Sequence, residues 1–141
     1  MKAVTVALYF LTALVTGLHN FYWLMDMVNG APLNILNLTA LLGSVALITA
    51  AATLLFRPRM AANIALVGSL LLWVYYLPLI AVSVFQPFTT RKEIRTFISD
   101  QEYVPLVGIL IGPVLLTACT ANSALFCLRH RESRKINENP T

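Results

Sequence analysis

The side chains with the widest chemical range lie in one short segment, GLHNFYWLMD, which occupies residues 17–26 near the end of a long apolar run. Its histidine, His19, can titrate near neutral pH and can hydrogen-bond through either ring nitrogen. An ionisable side chain inside an apolar segment marks a candidate functional site unless neighbouring polar groups satisfy it. The segment therefore indicates hydrogen bonding to a polar ligand, proton binding, or polar contacts between helices.

This segment is one end of a longer polar stripe. In an α-helix, steps of three or four residues bring side chains onto one face. The residues on this face are Thr5, Tyr9, Thr12, Thr16, His19, Trp23 and Asp26. Each of them carries a polar atom, whereas most of the remaining residues of the segment are Ala, Val, Leu and Phe. Because lipid disfavours such a stripe, we expect it to face other helices or a wet cavity.

Other segments supply polar side chains at a similar depth, given a rise of about 1.5 Å per helical residue. The candidate ligand-binding residues are His19, Trp23, Asp26, Asn34, Asn37, Tyr75 and Tyr76. In one interpretation these groups hydrogen-bond to one another and hold helices together, at about 0.6–2 kcal/mol per bond. In the other they line a pocket for a small amphipathic ligand, a lipid headgroup or a proton, with a void beside Gly108 and Gly112.

The composition indicates which elements position these groups. The chain has 141 residues, of which 58% are hydrophobic and 11% charged, whereas about 25% of residues are charged in a soluble domain. Its apolar runs cover residues 3–28, 32–56, 61–85 and 104–128. Each exceeds the roughly 20 residues that a helix needs to cross a bilayer. We predict an all-α integral membrane four-helix bundle, up-down-up-down, formed by residues 1–128 and followed by a basic tail, 129–141.

The distribution of Lys and Arg predicts the orientation of this bundle. One side receives Lys2, Arg57, Arg59, Arg129, Arg131, Arg134 and Lys135. The other side receives only Arg91, Lys92 and Arg95. We therefore expect both termini in the cytoplasm and a multi-pass protein of the plasma or inner membrane. The basic charge follows from this topology and gives no reason to expect nucleic-acid binding. The first run is too long for a signal peptide, so we expect it to be retained as a span.

Prolines and polar residues predict where helices start, stop and bend. Pro32 fits the first turn of the second span, and Pro58 is expected to end that span. Pro78 and Pro113 lie inside the third and fourth spans, where each removes one helical hydrogen bond and predicts a kink. Such a kink either improves packing or provides a hinge.

The segment between the third and fourth spans also has a helical pattern. Thr90 followed by Glu93 is typical of a capping box, and Ile94, Phe97 and Ile98 then share one face. We predict a short amphipathic helix in this outer loop, lying on the membrane surface or over the mouth of the bundle. The alternative is an ordered loop that buries the same three residues.

Glycines predict close packing between helices. Gly108 and Gly112 form a GxxxG motif in the fourth span, and Gly43 belongs to a small-residue face of the second. Such faces let helix backbones approach closely. The motif explains packing within one chain as well as it explains dimerisation, so a second copy remains a possible partner.

The motifs that would indicate catalysis do not occur in the sequence. It contains no CxxC, HExxH, GxSxG or phosphate-binding loop, and its two histidines, His19 and His130, fall on opposite sides of the predicted membrane. Cys119 and Cys127 are about 12 Å apart along one helix, so we expect free thiols. We expect no catalytic residue, metal or cofactor, and predict a non-catalytic accessory or interaction subunit whose partners are the lipid bilayer and a membrane protein. The alternative is binding or transport of a small ligand, lipid or proton through the polar pocket around His19.

Overall fold

The computed structural model describes residues 2–30, 34–100 and 103–138, without the side chains of residues 22–24, 26, 27, 88, 89, 97 and 130–138. The described chain forms five α-helices and contains no β-strand. The helices are α1 (Lys2–Val28), α2 (Ile35–Thr53), α3 (Pro58–Phe85), α4 (Pro87–Ser99) and α5 (Tyr103–Glu138).

Four of these helices contain segments long and apolar enough to cross a membrane. The segments are Lys2–Phe21, Ile35–Thr53, Pro58–Phe85 and Tyr103–Arg129. The prediction of an all-α chain with four such helices is confirmed. Helix α5 continues as one helix through the start of the predicted basic tail and ends at Glu138.

The start of α2 differs from the prediction. Pro32 lies outside the described residues, and the helix begins at Ile35 instead of near Pro32. Asn34 caps it, because its extended backbone lets the side-chain oxygen accept a hydrogen bond of 2.9 Å from the Leu36 N–H. Asparagine is among the best residues for this position, since it satisfies an N–H group that has no partner within the helix.

Two prolines begin helices, which corrects two further predictions. Helix α2 ends at Thr53, well before Pro58, and Pro58 occupies the first turn of α3. Likewise Pro87 begins α4, so Thr90 lies inside that helix and its N–H donates to the Gln86 carbonyl. The predicted capping box at Thr90 is therefore wrong. The fixed φ of proline and its missing N–H both suit a first helical turn.

The four long helices pack in a ring. Helices α1 and α3 each contact both α2 and α5, and α4 contacts α3 and α5. The cavities described below place the starts of α1 and α3 beside the end of α2, so sequential long helices run in opposite directions. Large apolar side chains cover the outer faces, as Phe10 and Val114 illustrate with 53% and 67% exposure. The interior contains alanine, serine, threonine and tyrosine together with the fully buried Leu47, Leu72 and Leu116.

Candidate functional site

The polar stripe of α1 faces the interior. Tyr9, Thr12, Thr16 and His19 are each at most 1% exposed, and Thr5 is half-buried. The side chains of Trp23 and Asp26, which continue the predicted stripe, lie outside the described residues. Burial of four consecutive stripe positions agrees with the expectation that lipid would not accept this face.

The stripe residues from Tyr9 to Thr16 are satisfied by hydrogen bonds, either to neighbouring helices or within α1. Tyr9 Oη and Ser123 Oγ lie 2.9 Å apart and link α1 to α5. Thr16 Oγ1 and Ser44 Oγ, also 2.9 Å apart, link α1 to α2. Thr12 Oγ1 donates to the Leu8 carbonyl of its own helix. These groups therefore hold helices together and offer little to a ligand.

His19 lies where the stripe meets α3 and α5. Its Nε2 is 2.9 Å from Tyr75 Oη, within hydrogen-bond distance, and the two rings meet edge to face with centroids 5.8 Å apart. The ring of Tyr76 stacks on that of His19 with centroids 6.5 Å apart, and its hydroxyl donates to the Gly108 carbonyl at 3.1 Å. Helices α1, α3 and α5 thus meet in one aromatic and polar cluster.

The two glycines of α5 make room for this cluster. A Cβ atom at Gly108 would collide with the ring and Cβ of His19, and a Cβ at Gly112 would collide with the Tyr76 hydroxyl. The void expected beside these glycines is therefore absent, since His19 and Tyr76 occupy that space. The GxxxG motif here accommodates side chains from two other helices.

Open space also borders His19. A cavity of about 440 Å³, here named the His19 cavity, is bounded by α1, α2, α3, α4 and α5. Its lining residues are His19, Asn34, Leu36, Asn37, Tyr75, Pro78, Leu79, Val82, Glu93 and Ile109. The volume is within the range of about 300–1,000 Å³ found for small-molecule sites. Both polar and apolar side chains line it, as in small-molecule sites generally.

The structure brings together four of the seven predicted site residues. His19, Asn34, Asn37 and Tyr75 line the cavity. Tyr76 is 1% exposed and packs against α5, away from that lining. Asn34 also serves as the cap of α2, so its oxygen already accepts one hydrogen bond.

The cavity also contains residues that were not predicted for the site. Leu79, Val82 and Ile109 form apolar walls, and Glu93 of α4 adds a carboxylate. The amphipathic pattern of α4, predicted to lie on the membrane surface or over the mouth of the bundle, was the available signal for Glu93. The apolar residues gave no signal, because leucine, valine and isoleucine occur on every face of these helices.

The lining can hydrogen-bond to a polar group of a small molecule and pack against an apolar chain of it. Among the residues that the structure describes, no three His, Cys, Asp or Glu side chains are grouped to hold a metal ion. Asn37 adds an amide, which both donates and accepts, and the Tyr75 hydroxyl does the same. The arrangement suits reversible recognition of an amphipathic molecule.

A second polar patch, on α5, is largely satisfied within its own helix. Thr117, Thr120 and Ser123 donate to the carbonyls four residues earlier at 2.7–2.8 Å. Cys119 and Cys127 are free thiols, as predicted. Ser69 approaches the Cys119 sulfur at 3.4 Å. Because Cys119 contacts α3 and Ser123 contacts Tyr9 of α1, this patch packs α5 against both helices.

The chain has no significant match to a protein-family model, to a curated protein or to a solved structure.

Proposed function

We propose that this is a multi-pass membrane protein that binds a small amphipathic molecule, without catalysis, in the His19 cavity. The observation that carries the proposal is an open cavity of about 440 Å³ that reaches His19 between the long helices. A chain that only packs its helices together would fill this space with side chains, because voids forfeit dispersion contacts. The cavity combines polar groups with apolar walls, which is the pattern of a ligand site.

The charges of the lining favour a neutral or cationic polar group on the ligand. Glu93 is the one formally charged side chain in the described lining at neutral pH, with His19 counted as neutral. Its carboxylate repels an anionic headgroup and attracts an ammonium group. The hydroxyl of Tyr75 and the amide of Asn37 can hydrogen-bond an alcohol or an amine. The apolar walls formed by Leu79 and Val82 suit an alkyl chain.

The proposed topology has both termini in the cytoplasm, which opens the His19 cavity toward the outer side. The support is the excess of Lys and Arg at the end of the molecule that contains the chain start and the α2–α3 turn. Reporter fusions after Gly30, Pro58, Glu102 and Thr141 test it. We expect cytoplasmic signals from the fusions at Pro58 and Thr141, and an external signal from the Pro58 fusion contradicts the orientation.

Thiol protection tests whether the cavity binds ligands. In a Cys119→Ala, Cys127→Ala background, a single cysteine replaces either Leu79, which lines the cavity, or Val74 on the same helix, which is 48% exposed outside it. We expect a small maleimide to label Leu79→Cys faster, and octylamine or octanol to slow only that reaction. Octanoate should protect least, because of Glu93. Equal labelling of both positions, unaffected by all three compounds, contradicts the proposal.

Two substitutions identify the polar contacts. His19→Leu, introduced with Leu79→Cys, should abolish protection in protein that still inserts and accumulates. Glu93→Gln should reduce protection by octylamine while leaving protection by octanol unchanged. If His19→Leu changes only the amount of folded protein and leaves protection intact, the cluster around His19 is a packing feature.

The accessory or interaction subunit, which the sequence favoured through its packing faces and its lack of catalytic motifs, is the second candidate here. The exposed apolar faces of the long helices suit a membrane partner as well as lipid. However, Gly43, Gly108 and Gly112 are buried in contacts within the chain, so their small-residue faces are not available to another helix. Native mass spectrometry of the protein purified from its own membrane separates the candidates. A stoichiometric protein partner favours the subunit, and a retained small molecule favours the ligand site.

A further inference from the structure

A second cavity lies at the opposite end of the molecule. It has a volume of about 460 Å³ and forms where the start of α1, the end of α2, the start of α3 and the middle of α5 meet. Its lining includes Lys2, Tyr9, Leu54, Asn122, Leu125 and Arg129. We name it the Lys2–Arg129 cavity.

Positive charge distinguishes this cavity from the first. Lys2 and Arg129 are the charged residues of its described lining. A shallower depression of about 410 Å³ adjoins it through Pro58 and contains Arg57 and Arg59. Four cations therefore surround two adjoining cavities. Such a cluster produces a positive potential that concentrates anions.

The walls of the cavity are apolar. Leu54, Leu125 and Phe126 line it, together with the uncharged polar side chains of Thr5, Tyr9 and Asn122. Leu125 is 55% exposed, so this wall is continuous with the outer surface of α5. A molecule held here meets cations at one end and hydrocarbon along its length. That combination complements an anionic amphiphile.

We propose that the Lys2–Arg129 cavity binds an anionic glycerophospholipid of the surrounding bilayer. Its phosphate lies between Lys2 and Arg129, and part of an acyl chain packs against Leu54 and Leu125. A free phosphate ion would use the charges and leave the apolar walls bare, and a zwitterionic lipid would lose part of its attraction to the two cations. The proposal rests on membrane residence and is independent of any ligand in the His19 cavity.

The expected selectivity follows from the two cations. Each basic residue near a membrane surface strengthens the binding of an anionic lipid. Two such residues together should raise the affinity about 30-fold. Purified full-length protein in neutral detergent is titrated with phosphatidylglycerol or with phosphatidylcholine of the same chain length. Bound lipid is counted by native mass spectrometry. Lipid is added after purification, so the role of these cations in setting topology does not affect the result.

The variants are matched in charge. Lys2→Gln with Arg129→Gln should remove the preference for phosphatidylglycerol, whereas Arg91→Gln with Lys92→Gln, which removes two exposed cations of α4, should retain it. Lys2→Arg with Arg129→Lys should retain it too. Equal binding of the two lipids by the unmodified protein, or equal loss in the α4 pair, overturns the proposal. Displacement of the lipid by an equimolar concentration of inorganic phosphate also overturns it, since the site would then recognise the free ion.

Photolabelling of the unmodified protein gives a test that needs no substitution. Phosphatidylglycerol with a diazirine on one acyl chain should label peptides that contain Leu54 or Leu125. Labelling distributed evenly over the exposed faces of all the long helices overturns the proposal. If the His19 cavity binds no ligand, this result is unaffected. Each proposal can therefore be refuted without refuting the other.

Discussion

Glycines allow close approach in two regions of the molecule, but different atoms fill the space that they leave. At the α1–α5 contact, the room beside Gly108 is taken by the imidazole of His19. At the α2–α3 contact, a Cβ on Gly43 would lie 2.8 Å from the Gly68 carbonyl oxygen and 2.8 Å from Leu72 Cγ. One glycine therefore admits a side chain, and the other admits a neighbouring backbone.

The difference has a physical consequence. A side chain can rotate or be replaced, whereas a backbone carbonyl moves only if the whole helix moves. The α2–α3 contact is reciprocal, because a Cβ on Gly68 would lie 3.0 Å from the Gly43 carbonyl oxygen. We therefore expect the α2–α3 contact to be structural, and we expect larger residues at its glycines to destabilise the protein. The α1–α5 contact shapes the cluster beside the His19 cavity. Replacing His19 can relieve the overlap that a side chain at Gly108 would create.

The largest effect is expected at the α2–α3 contact. Gly43→Ala should lower the free energy of unfolding by about 3 kcal/mol, because the added methyl group would overlap backbone atoms that cannot move without moving the helix. Unfolding in mixed micelles with increasing SDS measures it. The matched control is Gly17→Ala, where a Cβ would lie 3.6 Å from Ser44 Cβ in ordinary contact. That control should be neutral or stabilising by up to about 1 kcal/mol, and equal losses in both variants would refute the contrast.

A double-mutant cycle examines the α1–α5 contact. Gly108→Ala should cost about 2 kcal/mol. Combined with His19→Gly, it should cost at least about 1 kcal/mol less than the sum of the single changes, because both the ring and the Cβ that obstruct the new methyl group are gone. Gly43→Ala combined with Leu72→Ala should show a smaller coupling, since the Gly68 carbonyl remains. Additive behaviour at Gly108 would show that the ring of His19 is not the obstacle.

A smaller loss is expected from the bond between α1 and α3. Tyr75→Phe removes the hydroxyl that lies 2.9 Å from His19 Nε2, and should reduce the free energy of unfolding by about 0.6–1.7 kcal/mol. The control is Tyr103→Phe, at a tyrosine that is 59% exposed. No difference between the two variants would mean that the bond adds nothing to stability.

The smallest effect is expected at Ser69→Ala. The Ser69 hydroxyl already donates to the Ala65 carbonyl at 2.8 Å, and its contact with the Cys119 sulfur is 3.4 Å long. Weak contacts to sulfur are second-order, so the free energy of unfolding should change by less than about 0.5 kcal/mol. A loss above about 1 kcal/mol would reveal an interhelical bond as important as that of Tyr75.

The sequence alone determined the elements and much of the polar interior. Four apolar runs, each longer than a bilayer requires, specify four long helices, because hydrocarbon surroundings leave the backbone few other ways to satisfy its hydrogen bonds. The three- and four-residue spacing of Tyr9, Thr12, Thr16 and His19 also identified the buried face of α1. Helix ends were less predictable. Pro58 and Pro87 suit a first turn, but a proline also suits the end of a preceding helix, so local preference left that choice open.

Only the tertiary structure decided which atoms fill the space beside each glycine and where a cavity remains. The motif of Gly108 and Gly112 signals close approach, yet its spacing does not say whether a ring or a backbone arrives from across the interface. Likewise His19, Asn37 and Tyr75 were placed at a common depth by their position in the chain, but Tyr76 shares that depth and packs elsewhere. Depth follows from the rise per residue along each helix, whereas contact depends on how each helix is rotated about its axis. That rotation is set by packing of all the neighbouring helices at once.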